Sequence, residues 1–113
     1  MDLKIVEIKN DGTLNDEYVK LSVVKDCNLL SYLITDTTYI SETTYSNKLR
    51  HVYWLPRTDV KKGDTVIVYS GKGKRDSKNG IHSFYWGLEK SVWNNKGDAA
   101  LLFEVNQWKS KKA

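Results

Sequence analysis

An all-β sandwich of about seven to nine strands is the fold that this sequence predicts, and three observations lead to it. Apolar runs dense in Val, Ile, Tyr and Trp alternate with polar residues at a period of two. Gly, Asn and Asp punctuate the gaps between those runs. No segment sustains the 3.6-residue period of an amphipathic helix. The length of 113 residues is that of one domain, and with 40% hydrophobic and 28% charged residues the chain is too apolar to stay disordered. There is no internal repeat, low-complexity linker or compositional break, so residues 1–113 are read as a single domain.

Residues 3–8 open the series, and Asn10-Asp11-Gly12 supplies the first reversal. Val19, Leu21 and Val23 then alternate with Lys20 and Ser22, the pattern of a half-buried strand. Leu30, Tyr32 and Ile34 repeat the pattern against Ser31, Leu33 and Thr35. The polar stretch 36–50 is compatible with either a long crossover between sheets or an extra edge strand. Residues 52–55 form the next strand, stopped by Pro56, which has no backbone donor to offer a ladder. Lys62-Gly63, Asn79-Gly80 and Lys96-Gly97 provide further turns, separating strands at 65–69, 81–86 and 101–105.

Four fragments together resemble a known family. Glu17-Tyr18-Val19-Lys20-Leu21 is similar to the opening strand of lamin tail domains of the bacterial type, and Leu30-Ser31-Tyr32-Leu33-Ile34-Thr35-Asp36 resembles the segment that follows it. Val60-Lys61-Lys62-Gly63-Asp64-Thr65-Val66-Ile67-Val68 is similar to a family turn and strand. Val92-Trp93-Asn94-Asn95-Lys96-Gly97-Asp98-Ala99-Ala100-Leu101 resembles the closing motif and is the most specific of the four. The four occur in the family's order across nearly the whole chain. The departures are Ser31 in place of glycine, Tyr32 in place of tryptophan, and Phe103 to Trp108 in place of an acidic residue and a glycine turn. The resemblance implies an immunoglobulin-like β-sandwich and an adaptor role without catalysis. It assigns Glu17, Tyr18, Tyr32, Asp36, Gly63, Trp93, Asn94, Gly97, Asp98 and Leu101 to the family motif, as structural residues. Read from the residues alone, Trp93 sits at the sandwich rim, followed by a tight turn and a core strand over 99–105.

Charge is concentrated in two places. Residues 71–80 contain Lys72, Lys74, Arg75 and Lys78 against Asp76 alone, and the tail adds Lys109, Lys111 and Lys112. The remaining chain holds eleven cations and thirteen anions, so the isoelectric point near 9.1 comes from one glycine-rich loop and one terminus. Such a loop can contact phosphates, with Tyr85 and Trp86 beyond it offering faces for base stacking. The competing reading is a solvated hairpin whose lysines maintain solubility, with Phe84 or Trp86 packed inward. Gly71-Lys72-Gly73 lacks the context and the Lys-Ser/Thr ending of a phosphate-binding P-loop.

Catalytic and metal signatures are absent from the sequence. His51 and His82 lie in different strands without metal-ligand spacing, the acidic residues are scattered singly, and the lone Cys27 reads as a small buried apolar side chain. The chain is therefore expected not to be an enzyme and to need no cofactor, with no small-molecule substrate evident. The first expected function is a protein-interaction module, in which exposed aromatics among Tyr39, Tyr45, Tyr53, Trp54 and Trp108 anchor a protein partner or a second copy. The alternative is weak, sequence-independent nucleic-acid binding through the basic loop and the lysine tail. No apolar stretch is long enough to insert in a bilayer and no leader is seen, which points to the cytoplasm for the chain as given, or to secretion for a trimmed fragment.

Overall fold

A computed structural model describes residues 1–10, 13–38, 49–93 and 98–113. Among these residues ten strands run in chain order: β1 (Leu3–Lys9), β2 (Tyr18–Val23), β3 (Cys27–Asn28), β4 (Tyr32–Thr38), β5 (Val52–Trp54), β6 (Asp59–Val60), β7 (Thr65–Tyr69), β8 (Asp76–Lys78), β9 (Ile81–Tyr85) and β10 (Asp98–Glu104). A five-stranded sheet has the order β1-β2-β7-β9-β8, a three-stranded sheet the order β10-β4-β5, and β3 pairs with β6 in a short ladder. The fold is the expected all-β sandwich. Each of the seven segments read from the sequence corresponds to a strand. The three additional strands, β3, β6 and β8, are two or three residues long, too short for alternation to be visible.

The inner faces follow the alternation. Val19, Leu21 and Val23 of β2, Val66 and Val68 of β7, and Phe84 of β9 meet Tyr32 and Ile34 of β4 in one buried cluster. Ala100 and Leu102 of β10 and Tyr53 of β5 pack against that cluster from the smaller sheet. Strands β7 and β9 run parallel, whereas β8 and β9 form an antiparallel hairpin. That hairpin turns on Asn79 (φ 54°) and Gly80 (φ 77°), the left-handed pair that a two-residue turn between twisted strands requires.

Several expectations are corrected. Leu30 lies in a 3-10 turn over Leu29–Ser31, not in a strand, because the Asn28 side chain caps the turn by accepting from the Leu30 amide at 2.9 Å. The basic segment 71–80 is not a plain loop, since β8 adds to the edge of the large sheet. Trp93 does not stand at the rim but is 3% exposed. The cause is Glu17, whose buried carboxylate oxygen Oε1 accepts from the amides of Val92 at 2.8 Å and Trp93 at 3.4 Å and draws that segment inward. Tyr39, Tyr45, Asn94 and Gly97, and most of the open stretch 36–50, lie outside the described residues.

Candidate functional site

The outer faces of the two sheets differ in chemistry. On the large sheet, Tyr18, Tyr69 and Tyr85 are cross-strand neighbours of β2, β7 and β9. Tyr18 meets Tyr69 edge-on at 5.7 Å, and Tyr69 stacks on Tyr85 at 5.0 Å with 13° between planes. The Lys9 ammonium lies 6.0 Å from the Tyr18 ring centre, and Gly73 lies against the Tyr85 ring, so closely that a Cβ there would sit 2.2 Å from a ring carbon. Burial and the neighbouring Tyr85 raise the Tyr69 pKa, and the hydrogen bond that Tyr18 donates to Glu7 is the main cause of its own raised value. The ladder is thus closed on itself, and Tyr85 does not present a free face to a base.

On the small sheet the register aligns Phe103, Leu33 and Trp54 in one row and Leu101, Thr35 and Val52 in the next, with Ala99 beside Thr37. None of these residues is charged. The end of the face bearing Thr35, Thr37 and Ala99 is buried, while Val52 (51%), Trp54 (44%) and Phe103 (39%) are exposed. After β10 the Val105 amide bonds to the Ser31 carbonyl at 2.7 Å, and the chain returns so that Trp108, itself 49% exposed, meets Trp54 edge-on at 5.0 Å. Trp54 is fixed from below, its indole N–H donating to the Leu30 carbonyl at 2.7 Å. Asn106, Gln107, Trp108 and Lys109 line an open cleft of about 710 Å³. Trp54 and Trp108 are thus held in a fixed edge-on arrangement at the exposed end of this face.

Of the other sequence candidates, Tyr53 faces inward, tilted against Trp86 at 5.7 Å, and burial raises its pKa. Trp86 also packs on Trp93 at 6.2 Å, so it too is structural. Two of the basic residues are engaged by neighbours. Arg75 donates to Thr58 Oγ1 at 2.6 Å and covers the Phe84 ring at 5.1 Å, closing the edge of the core. Lys72 lies 3.6 Å from Glu89. Lys74, Lys78, Lys109, Lys111 and Lys112 are exposed with no ionic partner among the described residues. Cys27 is half-buried in β3, and burial is the main cause of its raised pKa. Among the described motif residues, the Tyr32 hydroxyl accepts from the Asp2 amide and donates to Glu104, each at 3.2 Å, and Gly63 turns with φ 92°. Asp36 accepts from the His51 amide at 2.6 Å and holds its ring, Asp98 begins β10, and Leu101 pairs with Thr35.

One constellation escaped the sequence reading. Ser77 Oγ lies 2.8 Å from His82 Nδ1, and His82 Nε2 lies 2.9 Å from Asp64 Oδ2. The three residues belong to β8, to β9 and to the turn before β7, so no local spacing announces them. Only the pairing of Ser77 with His82 across the Asn79-Gly80 hairpin was within reach of the sequence. Among the described residues there is no cluster of three metal-ligating side chains and no helix long and apolar enough to cross a membrane. No family model matches the chain, and no curated protein is significantly similar to it.

Proposed function

We propose that this chain is a lamin-tail-like interaction module, acting by docking through the exposed end of the small sheet's outer face. The observation that carries this reading is the preordered Trp54–Trp108 pair near Phe103 and Val52, exposed side chains none of which is charged. Large sheets of polar and charged residues need no partner, whereas a contiguous apolar patch with fixed aromatic anchors does. A second copy of the chain is the simplest occupant, since an uncharged apolar face is complementary to its own image without a matching charge pattern. The lamin-tail assignment is supported by the meeting of Glu17 from the opening motif with Val92 and Trp93 from the closing one.

Sedimentation velocity across micromolar to near-millimolar concentration tests the docking mode. The expected result is a mass that rises with concentration and is insensitive to salt, because apolar burial is not screened. Nucleic-acid binding is the competing function. It requires retention on DNA or RNA at low ionic strength that is lost when Lys72, Lys74, Arg75 and Lys78 are changed to Ala, and that falls steeply with salt.

A further inference from the structure

The geometry points to Ser77 as a general-base-activated acyl acceptor, taking acyl groups from small activated esters with His82 as its base and Asp64 as a positioning residue. This capacity is independent of docking through the small sheet and goes beyond it.

The direction of the hydrogen bonds follows from the acid at the end of the chain. Asp64 accepts from the Lys61 amide at 3.0 Å, and this bond, followed by the one from His82, holds its carboxyl below the usual carboxylate range. An ionised carboxylate only accepts, so the His82 proton resides on Nε2 and faces Asp64. Nδ1 is then a lone pair, and Ser77 must donate its hydroxyl proton to it. A hydroxyl donating to a neutral imidazole whose far nitrogen is held by a carboxylate is the arrangement of a base-activated nucleophile, whichever ring nitrogen takes which part. His82 and Asp64 are largely enclosed, with side-chain exposures of 12% and 19%, while Ser77 is open to solvent.

The backbone adds a hydrogen-bond donor for developing negative charge. In a hairpin closed by a two-residue turn, Lys78 and Ile81 exchange the first pair of ladder bonds, and the next pair, Ser77 and His82, points its amides away from each other. The Ser77 N–H therefore faces the free side of β8, which is the edge of the sheet among the described residues. It lies on the same residue as the nucleophile, where a tetrahedral oxyanion would develop. In the reaction, Ser77 Oγ bonds to the ester carbonyl carbon as its proton passes to His82 Nδ1. The carbon–oxygen bond to the leaving phenolate breaks, and the proton follows it. A water deprotonated by the same nitrogen then hydrolyses the Ser77 ester and releases the carboxylic acid.

The probe is p-nitrophenyl acetate on the full chain, with acetylated serines located by peptide mass spectrometry at early times. Ser77 is expected to acetylate at least about tenfold faster than the exposed Ser91 and Ser110, and His82→Gln to slow Ser77 by about a hundredfold or more. Asp64→Asn, which keeps a side chain of the same shape, is expected to slow it by at least about tenfold through loss of the correct tautomer. Near-ultraviolet circular dichroism reports whether each variant keeps its tryptophan packing. Ser77 reacting no faster than Ser91 and Ser110, or a folded His82→Gln variant labelling at the wild-type rate, overturns the proposal. If His82→Gln unfolds, the comparison among serines within the wild-type chain decides alone.

Discussion

The two outer faces of this sandwich solve the same problem in opposite ways. The large sheet covers its outer surface with its own chemistry: three tyrosines in register, a lysine over the first and a glycine segment laid against the last. Its edges are blunted as well, β1 by an irregularity between Ile5 and Glu7 that breaks the ladder, and β8 by its short, fully exposed Asp-Ser-Lys sequence. The small sheet leaves Val52, Trp54, Phe103 and Trp108 in the open, and fixes the Trp54 indole by its bond to the Leu30 carbonyl and its edge-on contact with Trp108. One face is covered by packing and charge, and the other is left apolar at its exposed end. The two phenylalanines of the chain mark the contrast, since Phe84 is wholly buried behind the large sheet and Phe103 stands out from the small one.

That contrast is broken most severely at the core. Phe84→Ala is expected to cost about 3–5 kcal/mol in urea unfolding, because it opens a cavity and removes the ring under Arg75. Phe103→Ser is expected to cost no more than about 1 kcal/mol in the same assay. Equal losses at the two sites would mean that the small sheet's face is part of the folding core.

The next effect is alkaline. Burial pushes the Tyr32 hydroxyl up to about 12, while in the unfolded chain it ionises near its ordinary value of 10.0. A raised pKa favours the folded state below the unfolded value and loses that contribution as pH rises through the folded one. That difference corresponds to roughly 2–3 kcal/mol, present below pH 10 and lost between roughly pH 10 and 12. Chemical denaturation at pH 9, 11 and 12 measures it, and Tyr32→Phe is expected to flatten the profile over that window.

A smaller change sharpens the account of the tyrosine ladder. Gly73→Ala places a methyl group against the Tyr85 ring and is expected to destabilise by about 1–3 kcal/mol, with a change in the tyrosine near-ultraviolet signal. A neutral result would show that segment 71–75 is not needed to seal the ladder.

How much of this was legible in the sequence depended on distance along the chain. Period-two alternation placed the inner faces correctly at Val19, Leu21, Val23 and Ile34, because burial on one side of a strand is written into neighbouring residues. Pro56 and the Asn79-Gly80 pair marked their boundaries for equally local reasons. What failed was nonlocal. Trp93 read as a rim residue because the carboxylate that draws its segment inward belongs to Glu17, far earlier in the chain. Arg75 read as a free cation because Thr58 and Phe84, which engage it, lie on other elements. Leu30 matched strand alternation, yet the Asn28 cap set the backbone there. Trp54 and Trp108 were both marked as anchors, but only the fold brings them to one place.

The central claim is that the Trp54–Trp108 face is where another molecule docks, with a second copy as its first occupant. Sedimentation of the wild type beside a Phe103→Ser, Trp108→Ser double variant tests it most directly. The prediction is a wild-type dimer with a dissociation constant on the order of micromolar, as a small apolar interface gives, and a double variant that stays monomeric while melting close to the wild type. A wild type that remains monomeric throughout, or a double variant that dimerises equally well, would contradict it.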